Sequence, residues 1–396
     1  MSSTACRRLR SFFTPPLHST NTATSGATKN TTTPPTSKQD TFQKIVRKFK
    51  KSSESDQFRT SRYDIYLNTV LRLAKFKRFA MIEEIIEHQQ NFTDITSEPF
   101  TCRLMSLYGK VGMFDHAHKL FDKMPELNCP RTVYSFNTLL SACIDAGKFS
   151  EFEKIVKDYP NNLGITRDLI SYNIIIKGFC KMGALDNGVM VLEELVKNGF
   201  NPSLITFNTL LNGFYGSGKS SDGDRIWDRI VEMNVVPDIR SYNAKLLGLA
   251  LEKKTKEAVE LVEEMRRKGI ELDRFSFNGL IKGFVEDGNL EGAKLWYDEM
   301  RKSDGCAPDK VLFETLVPFL CEKGDIDFAY EILQEVLSRN CNVRVTLLQL
   351  VVDGLVKQSK IEEAEKLILL KKKARIQGSL AMTMENDPNT VVHNQD

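Results

Sequence analysis

Residues 204–238, LITFNTLLNGFYGSGKSSDGDRIWDRIVEMNVVPD, return 35 positions later as 239–273, IRSYNAKLLGLALEKKTKEAVELVEEMRRKGIELD. They are preceded by 35 as 169–203, LISYNIIIKGFCKMGALDNGVMVLEELVKNGFNPS. An aromatic-Asn pair opens each copy: Tyr172-Asn173, Phe207-Asn208, Tyr242-Asn243 and then Phe277-Asn278. A small residue follows fifteen positions after the Asn (Gly188, Gly223, Ala258, Ala293), and a Ser or Asp closes the copy. A fixed period of this length marks a stacked array in which each unit buries its apolar face on its neighbours. Such a chain needs no single large core, whatever its length.

Units run at 63–97, 98–132, 133–168, 169–203, 204–238, 239–273, 274–309, 310–344 and 345–379, the third and seventh being 36 residues long. Apolar residues at helical spacing make each unit two helices. The break between them falls near Gly112, Gly147, Gly183, Gly218, Gly288 and Gly324, where glycine takes a left-handed conformation cheaply. The second helix stops near Gly199, Gly269, or a proline (Pro202, Pro237, Pro308) that cannot continue it. The expected fold is all-α: about eighteen helices in a right-handed α-solenoid of tandem helix-turn-helix repeats. Small residues at Ala117, Gly188, Gly223, Ala258, Ala293, Ala329 and Ala364 let neighbouring helices approach. Ile82 and Phe152 stand in that place in units one and three, where looser or differently angled packing is expected.

The flanks differ in kind. Residues 1–38 contain no acid, three early arginines and abundant Ser and Thr, the composition of an organelle transit peptide, assigned here to 1–40. The arginines at the very start favour a mitochondrion over a plastid. Residues 41–62 form a basic linker or helix in which Phe42, Ile45, Val46 and Phe49 share a stripe; whether it ends the leader or begins the mature chain is open at this level. Residues 380–396 are polar and unpatterned and read as a disordered tail. From Tyr63 onward there are 43 basic and 49 acidic residues, so any binding of a polyanion must come from local arrangement. No run of about 18 apolar residues offers a membrane span. Eight cysteines without a C-x-x-C pair read as small hydrophobes, and His116 and His118, two apart on a helix, point to different faces and form no metal site.

The period of 35, the Y/F-N-x-L opening and the P-D close resemble the pentatricopeptide repeat, along the whole of a unit such as 204–238. Tetratricopeptide repeats have a period of 34 and no fixed Asn in five successive units. The uninterrupted units resemble the P class, and the H-x-E with P-C-x-x-C of zinc deaminases is absent from the sequence. In this family one repeat meets one RNA base. The resemblance makes the fifth and last residues of each unit the base-binding pair: Asn137 with Asp168, Asn173 with Ser203, Asn208 with Asp238, Asn243 with Asp273, and Asn278 with Asp309. It assigns Asn with Asp to U and Asn with Ser more loosely to C, giving a core 5′-UYUUU. The second residues (Tyr134, Ile170, Ile205, Arg240, Phe275) resemble the family's wedge against the base, and the thirteenth (Lys75, Lys110, Lys181) its phosphate-facing lysine.

An Asp or Ser before a helix is also the usual N-cap. The Asn lies one turn inside, where it is an indifferent helix former, and base contact is the preferred account of it. The flanking units depart from the pattern: Leu67 and Cys102 replace the Asn, Glu314 pairs with Arg344, and Gln349 with Ser379. Asp145, Glu286 and Glu322 stand where phosphate-facing lysines would. The expectation is a non-enzymatic, single-stranded RNA-binding protein without cofactor. The alternative is a structural or assembly subunit of the mitochondrial ribosome.

Overall fold

The computed structural model describes residues 38–303 and 305–384; the leader reading of 1–37 and residues 385–396 of the expected tail lie outside them. Twenty α-helices and no strand occur among the described residues. The chain divides into two compact parts at 213/214, each described by itself.

In the first part, α1 (Lys38–Ser52) and α2 (Asp56–Ser61) precede the repeats. The anticipated stripe is real: Phe42, Val46 and Phe49 are buried. Phe49 meets Tyr66 edge-on at 4.7 Å and Phe42 meets Phe76 at 5.1 Å. Arg59 is buried because its charge is fully met. Its Nε donates to Asp94 Oδ2 at 2.8 Å, its Nη1 to the carbonyls of Ser53 and Glu54, and its guanidinium lies 4.3 Å over Phe92. Residues 41–62 are therefore a folded cap on the first hairpin rather than a linker.

The repeat hairpins of this part are α3 (Tyr63–Lys75) and α4 (Phe79–His88), α5 (Glu98–Lys110) and α6 (Phe114–Lys123), α7 (Val133–Asp145) and α8 (Phe149–Leu163), then α9 (Leu169–Met182) and α10 (Leu185–Lys197). Helix α11 (Leu204–Gly216) crosses the division. The second part continues with α12 (Ser220–Glu232), α13 (Ile239–Leu251), α14 (Thr255–Arg267), α15 (Arg274–Glu286) and α16 (Leu290–Lys302). It ends with α17 (Lys310–Glu322), α18 (Ile326–Ser338), α19 (Val345–Lys357) and α20 (Ile361–Met384), the last running across the expected 379/380 boundary. The period thus delivers two helices per unit, with the aromatic before each Asn in the core: Phe136, Tyr172, Tyr242 and Phe277 are at most 3% exposed. Where that aromatic is Tyr its hydroxyl reaches polar groups at the edge, as Tyr242 does to Glu264 and Lys268.

The fifteenth residue of all nine units has positive φ. Six are the glycines named above, and the other three are Lys77 (57°), Lys253 (59°) and Ser359 (62°). The turn demands the left-handed conformation even where no glycine serves it, at a cost of roughly 1–2 kcal/mol for a side-chain-bearing residue. Replacing exposed Lys253 with Gly should therefore raise stability by about 1 kcal/mol net of the extra chain entropy, measured as a higher urea midpoint. A lower midpoint would contradict this account of the turn.

Of the looser or differently angled packing expected in unit three, Phe152 excludes the looser. Its ring is fully buried and seats on Gly178, whose hypothetical Cβ would stand 2.2 Å from Phe152 Cζ. A large residue in the small position is matched by an absent side chain on the next hairpin. Gly178 is one of a second small series, ten residues into the unit: Ala142, Gly178, Gly213, Gly248, Gly283 and Gly354. Several of these have no room for a Cβ, which would stand 2.5 Å from Tyr215 Cδ1 at Gly248 and 2.6 Å from Ile326 Cδ1 at Gly354. The two histidines do diverge, His116 Nε2 lying 3.2 Å from Glu83 and His118 Nε2 2.5 Å from the Tyr159 hydroxyl.

Candidate nucleic-acid interface

The closing residue of units two to seven caps the first helix of the next. Asp168 Oδ1 accepts from Ser171 N at 2.7 Å, Asp273 Oδ1 from Ser276 N at 2.9 Å, and Asp309 Oδ1 from Leu312 N at 3.0 Å. Asp238 accepts from both Arg240 N and Ser241 N. Extended backbone at the cap turns the carboxylate back over the first turn. The same carboxylate reaches the Asn of the preceding hairpin. Asn137 Nδ2 donates to Asp168 Oδ1 at 3.1 Å, Asn243 Nδ2 to Asp273 Oδ1 at 3.0 Å, and Asn278 Nδ2 to Asp309 Oδ2 at 3.2 Å. Capping and pairing thus coexist in one residue.

A partner invisible in the base-reading pattern completes the clusters of units three, four and six. The third residue of the next unit carries a hydroxyl that donates to the Asn carbonyl: Ser171 to Asn137 Oδ1 at 2.7 Å, Thr206 to Asn173 Oδ1 at 2.6 Å, and Ser276 to Asn243 Oδ1 at 2.6 Å. These hydroxyls are buried, and in sequence they read only as the third helical residue of a capping box. Ser203 has no carboxylate to offer; among the described residues its side chain bonds only Thr206, leaving the Asn173 amide nitrogen unheld.

The remaining valence decides what a cluster can do. An Asn amide has two N–H donors and a carbonyl with two lone pairs. In units three and six one of each is spent inside the protein, and a donor and an acceptor remain. The inner oxygens of Asp168 and Asp273 collect the protein donors, and their outer oxygens can accept from a ligand. Burial works to raise the Asp168 carboxyl, but hydrogen bonds donated by the Ser171 N–H and the Asn137 amide help hold the group below its ordinary value. It is an anion, and an acceptor only, at neutral pH. Uracil presents an N–H between two carbonyl oxygens, which fits an amide donor beside a carboxylate acceptor.

The second residue of each unit flanks these clusters. Tyr134 is 51% exposed, Ile170 60%, Ile205 65% and Phe275 59%, and Arg240 is exposed as well. Val311 continues the row in unit eight, where no wedge was anticipated. Large apolar side chains left in water at one repeated place, beside a polar cluster, suit stacking on a flat base. In the first part the arrangement forms a cleft of about 600 Å³ in which Tyr134, Ile170, Asn137 and Asp168 share the lining with Cys102 and Arg103. Lys75, Lys110 and Lys181 are exposed and make no ion pair among the described residues. Asp145, Glu286 and Glu322, at the same place in their units, are exposed too.

The departing units fill the same place differently. In unit eight Arg344 Nε lies 2.8 Å from Glu314 Oε1, an ion pair in the register of Asn and Asp. In unit nine Gln349 turns along its own helix to Asp353. In unit two Cys102 is buried and its thiol is pushed up to about 12 by burial, so it is neutral. There Glu98 Oε1 takes the N–H groups of Thr132 and Ser135 and supplies the carboxylate that Thr132 lacks.

Models of the PPR repeat family match residues 103–145, 167–216 and 237–286, and models of the PPR repeat match 134–159, 205–235 and 275–304. A pentatricopeptide repeat-containing protein of Arabidopsis thaliana is 49% identical over 150 residues, 38% of this chain and 27% of the relative. The small ribosomal subunit protein mS79 of the same plant is 44% identical over 155 residues, 39% of each chain. Each alignment spans well under two thirds of the relative's length. Further relatives from that plant carry "mitochondrial" in their names. Among solved structures, the maize pentatricopeptide repeat protein PPR10 is similar with a TM-score of 0.48 and 19% identity, covering 85% of this chain and 59% of that one.

Proposed function

Because this chain carries PPR repeats over the matched stretches, we propose that it is a sequence-selective, non-catalytic binder of single-stranded RNA in the mitochondrion. Units three to seven would hold a pyrimidine core 5′-UYUUU. The observation that carries this reading is the repeated cluster of Asn and closing residue, its donor and acceptor capacity only partly spent, beside an exposed wedge at Tyr134, Ile170, Ile205, Arg240 or Phe275. Lys75, Lys110 and Lys181 would face phosphates. The early arginines Arg7, Arg8 and Arg10 and the naming of relatives as mitochondrial support the compartment. Bound RNA would be shielded or positioned for other machinery.

The test replaces Asn208 and Asn243 with Ser, a change the family resemblance ties to purine preference. Binding of the UYUUU core by the purified protein should weaken, with each mismatched position costing on the order of 1 kcal/mol or more, and oligonucleotides with purine at the third and fourth positions should gain. Equal selectivity of mutant and wild type would make the Asn residues purely structural.

A second reading is favoured by the 44% identity to a small ribosomal subunit protein. As a subunit of the mitochondrial ribosome, the protein would rely on partner surfaces where Asp145, Glu286 and Glu322 weaken its own hold on phosphate. It would then co-sediment with ribosomal particles in mitochondrial extracts after RNase treatment. Recovery only at the top of a low-salt gradient would exclude this reading.

A further inference from the structure

We infer that the hydroxyl at the third position of each following unit sets how strictly the preceding Asn distinguishes uracil from cytosine, and that unit seven, which lacks it, reads its base loosely. This inference rests on the RNA-binding reading above. Ser171, Thr206 and Ser276 each tie an Asn carbonyl oxygen to the next hairpin at 2.6–2.7 Å. Asn278 has Leu312 in that place, and its Oδ1 is buried with no hydrogen-bond partner. The surroundings otherwise match. The Asn278 amide nitrogen keeps its carboxylate, and Asp309 keeps its cap on Leu312 N.

The chemistry follows from counting donors. In units three and six the carboxylate fixes which end of the amide is nitrogen, since a flipped amide would set two acceptor oxygens against each other. The hydroxyl then holds the oxygen inward. What turns outward is an N–H donor beside the carboxylate, the complement of a uracil carbonyl and N–H. Cytosine offers an unprotonated ring nitrogen where uracil has its N–H, so the carboxylate meets an acceptor and disfavours it.

In unit seven nothing holds the oxygen inward, and leaving it dry and unpaired is unfavourable. Asp309 is also more heavily engaged, its Oδ2 being shared between Asn278 and Arg274 Nε at 3.5 Å. When the amide turns over, away from the Asp309 oxygen that it shares with Arg274, Oδ1 faces outward and a base that brings a donor relieves the deficit. Cytosine's amino group can do so as well as uracil's N–H. Ser171, Thr206 and Ser276 are thus positioning residues, acting on the base through the Asn.

The test uses the full chain and RNA oligonucleotides with a 5′-UCUUU core in flanking adenosines, each with one U changed to C. Wild-type protein should prefer U over C by about fivefold or more at the first and fourth nucleotides and by under about twofold at the fifth. Leu312→Thr, which supplies the hydroxyl that Thr206 provides elsewhere, should raise the fifth-position ratio to match the others without changing the first. Ser276→Ala should lower the ratio at the fourth nucleotide alone, and it leaves the buried Leu312 untouched should the first variant fold poorly. Melting temperatures separate a fold defect from a change in selectivity, because a structural defect lowers affinity for every oligonucleotide together. Ratios unmoved by both variants, with selectivity intact at the first nucleotide, overturn this inference and leave the function standing. A wild-type protein with no base preference at any position overturns both.

Discussion

Gly178→Ala should destabilise the protein by about 1–3 kcal/mol, as overpacking of a well-filled core does. The added methyl would fall 2.2 Å from the Phe152 ring tip and 2.7 Å from both flanking ring carbons. The ring is fully buried and meets Phe179 edge-on at 5.7 Å, so it has no solvent to retreat into. The backbone of α9 or α8 must shift instead. Phe152→Ala alone should cost roughly 3–5 kcal/mol through the cavity it leaves. In the double variant the alanine methyl enters that cavity, and the two costs should fall short of their sum by 1 kcal/mol or more, about the coupling expected of touching residues. Denaturant midpoints of the four proteins measure this. Strict additivity would mean that ring and glycine are not complementary.

Changing Asp145, Glu286 and Glu322 together to Lys should produce the largest gain in RNA binding. The three side chains are exposed, and their charge is screened by salt rather than neutralised by buried partners. If each new lysine neutralises one phosphate, the log–log salt slope for single-stranded RNA should steepen by roughly 2, at about 0.7 per phosphate. Between low and physiological salt this would amount to an affinity gain on the order of tenfold, greatest at the low end. The selectivity for U should stay as it is, since phosphates carry no sequence. A slope identical to wild type would place the thirteenth residues away from the RNA.

Much of this architecture is legible in sequence because the period transfers knowledge between units. Lys77, Lys253 and Ser359 look nothing like turn glycines, yet alignment with Gly112 or Gly183 places them in the same left-handed turn, where they are found. The closing Asp residues are legible twice over, as caps and as partners of Asn. What escaped detection has a common physical cause. Interior helical glycines such as Gly178 and Gly248 read as weak helix formers, because their purpose lies in a ring on another hairpin. For the same reason Phe152 promised a looser or differently angled joint, and the joint is not loose. The hydroxyls of Ser171, Thr206 and Ser276 were hidden behind a sufficient local explanation, the capping box. Only the distance to the Asn carbonyl reveals their second bond. Val311 was passed over since its unit lacks Asn, although its exposure matches that of Ile170 and Ile205.

The polar clusters also carry a lesson for anyone who would cut and rejoin this chain. A hairpin such as 239–273 is the natural piece to move if the helices alone are considered. Its Asn243, however, is held by Asp273 at its own end and by Ser276, three residues beyond it. The piece that folds and the piece that carries an intact cluster are out of frame with each other. A transplant meant to bring one cluster whole must span 243–276, with its seams inside first helices rather than in the loops. Seams placed in the loops would part each amide from its hydroxyl and hand it whatever third residue the recipient supplies, as Leu312 already does for Asn278.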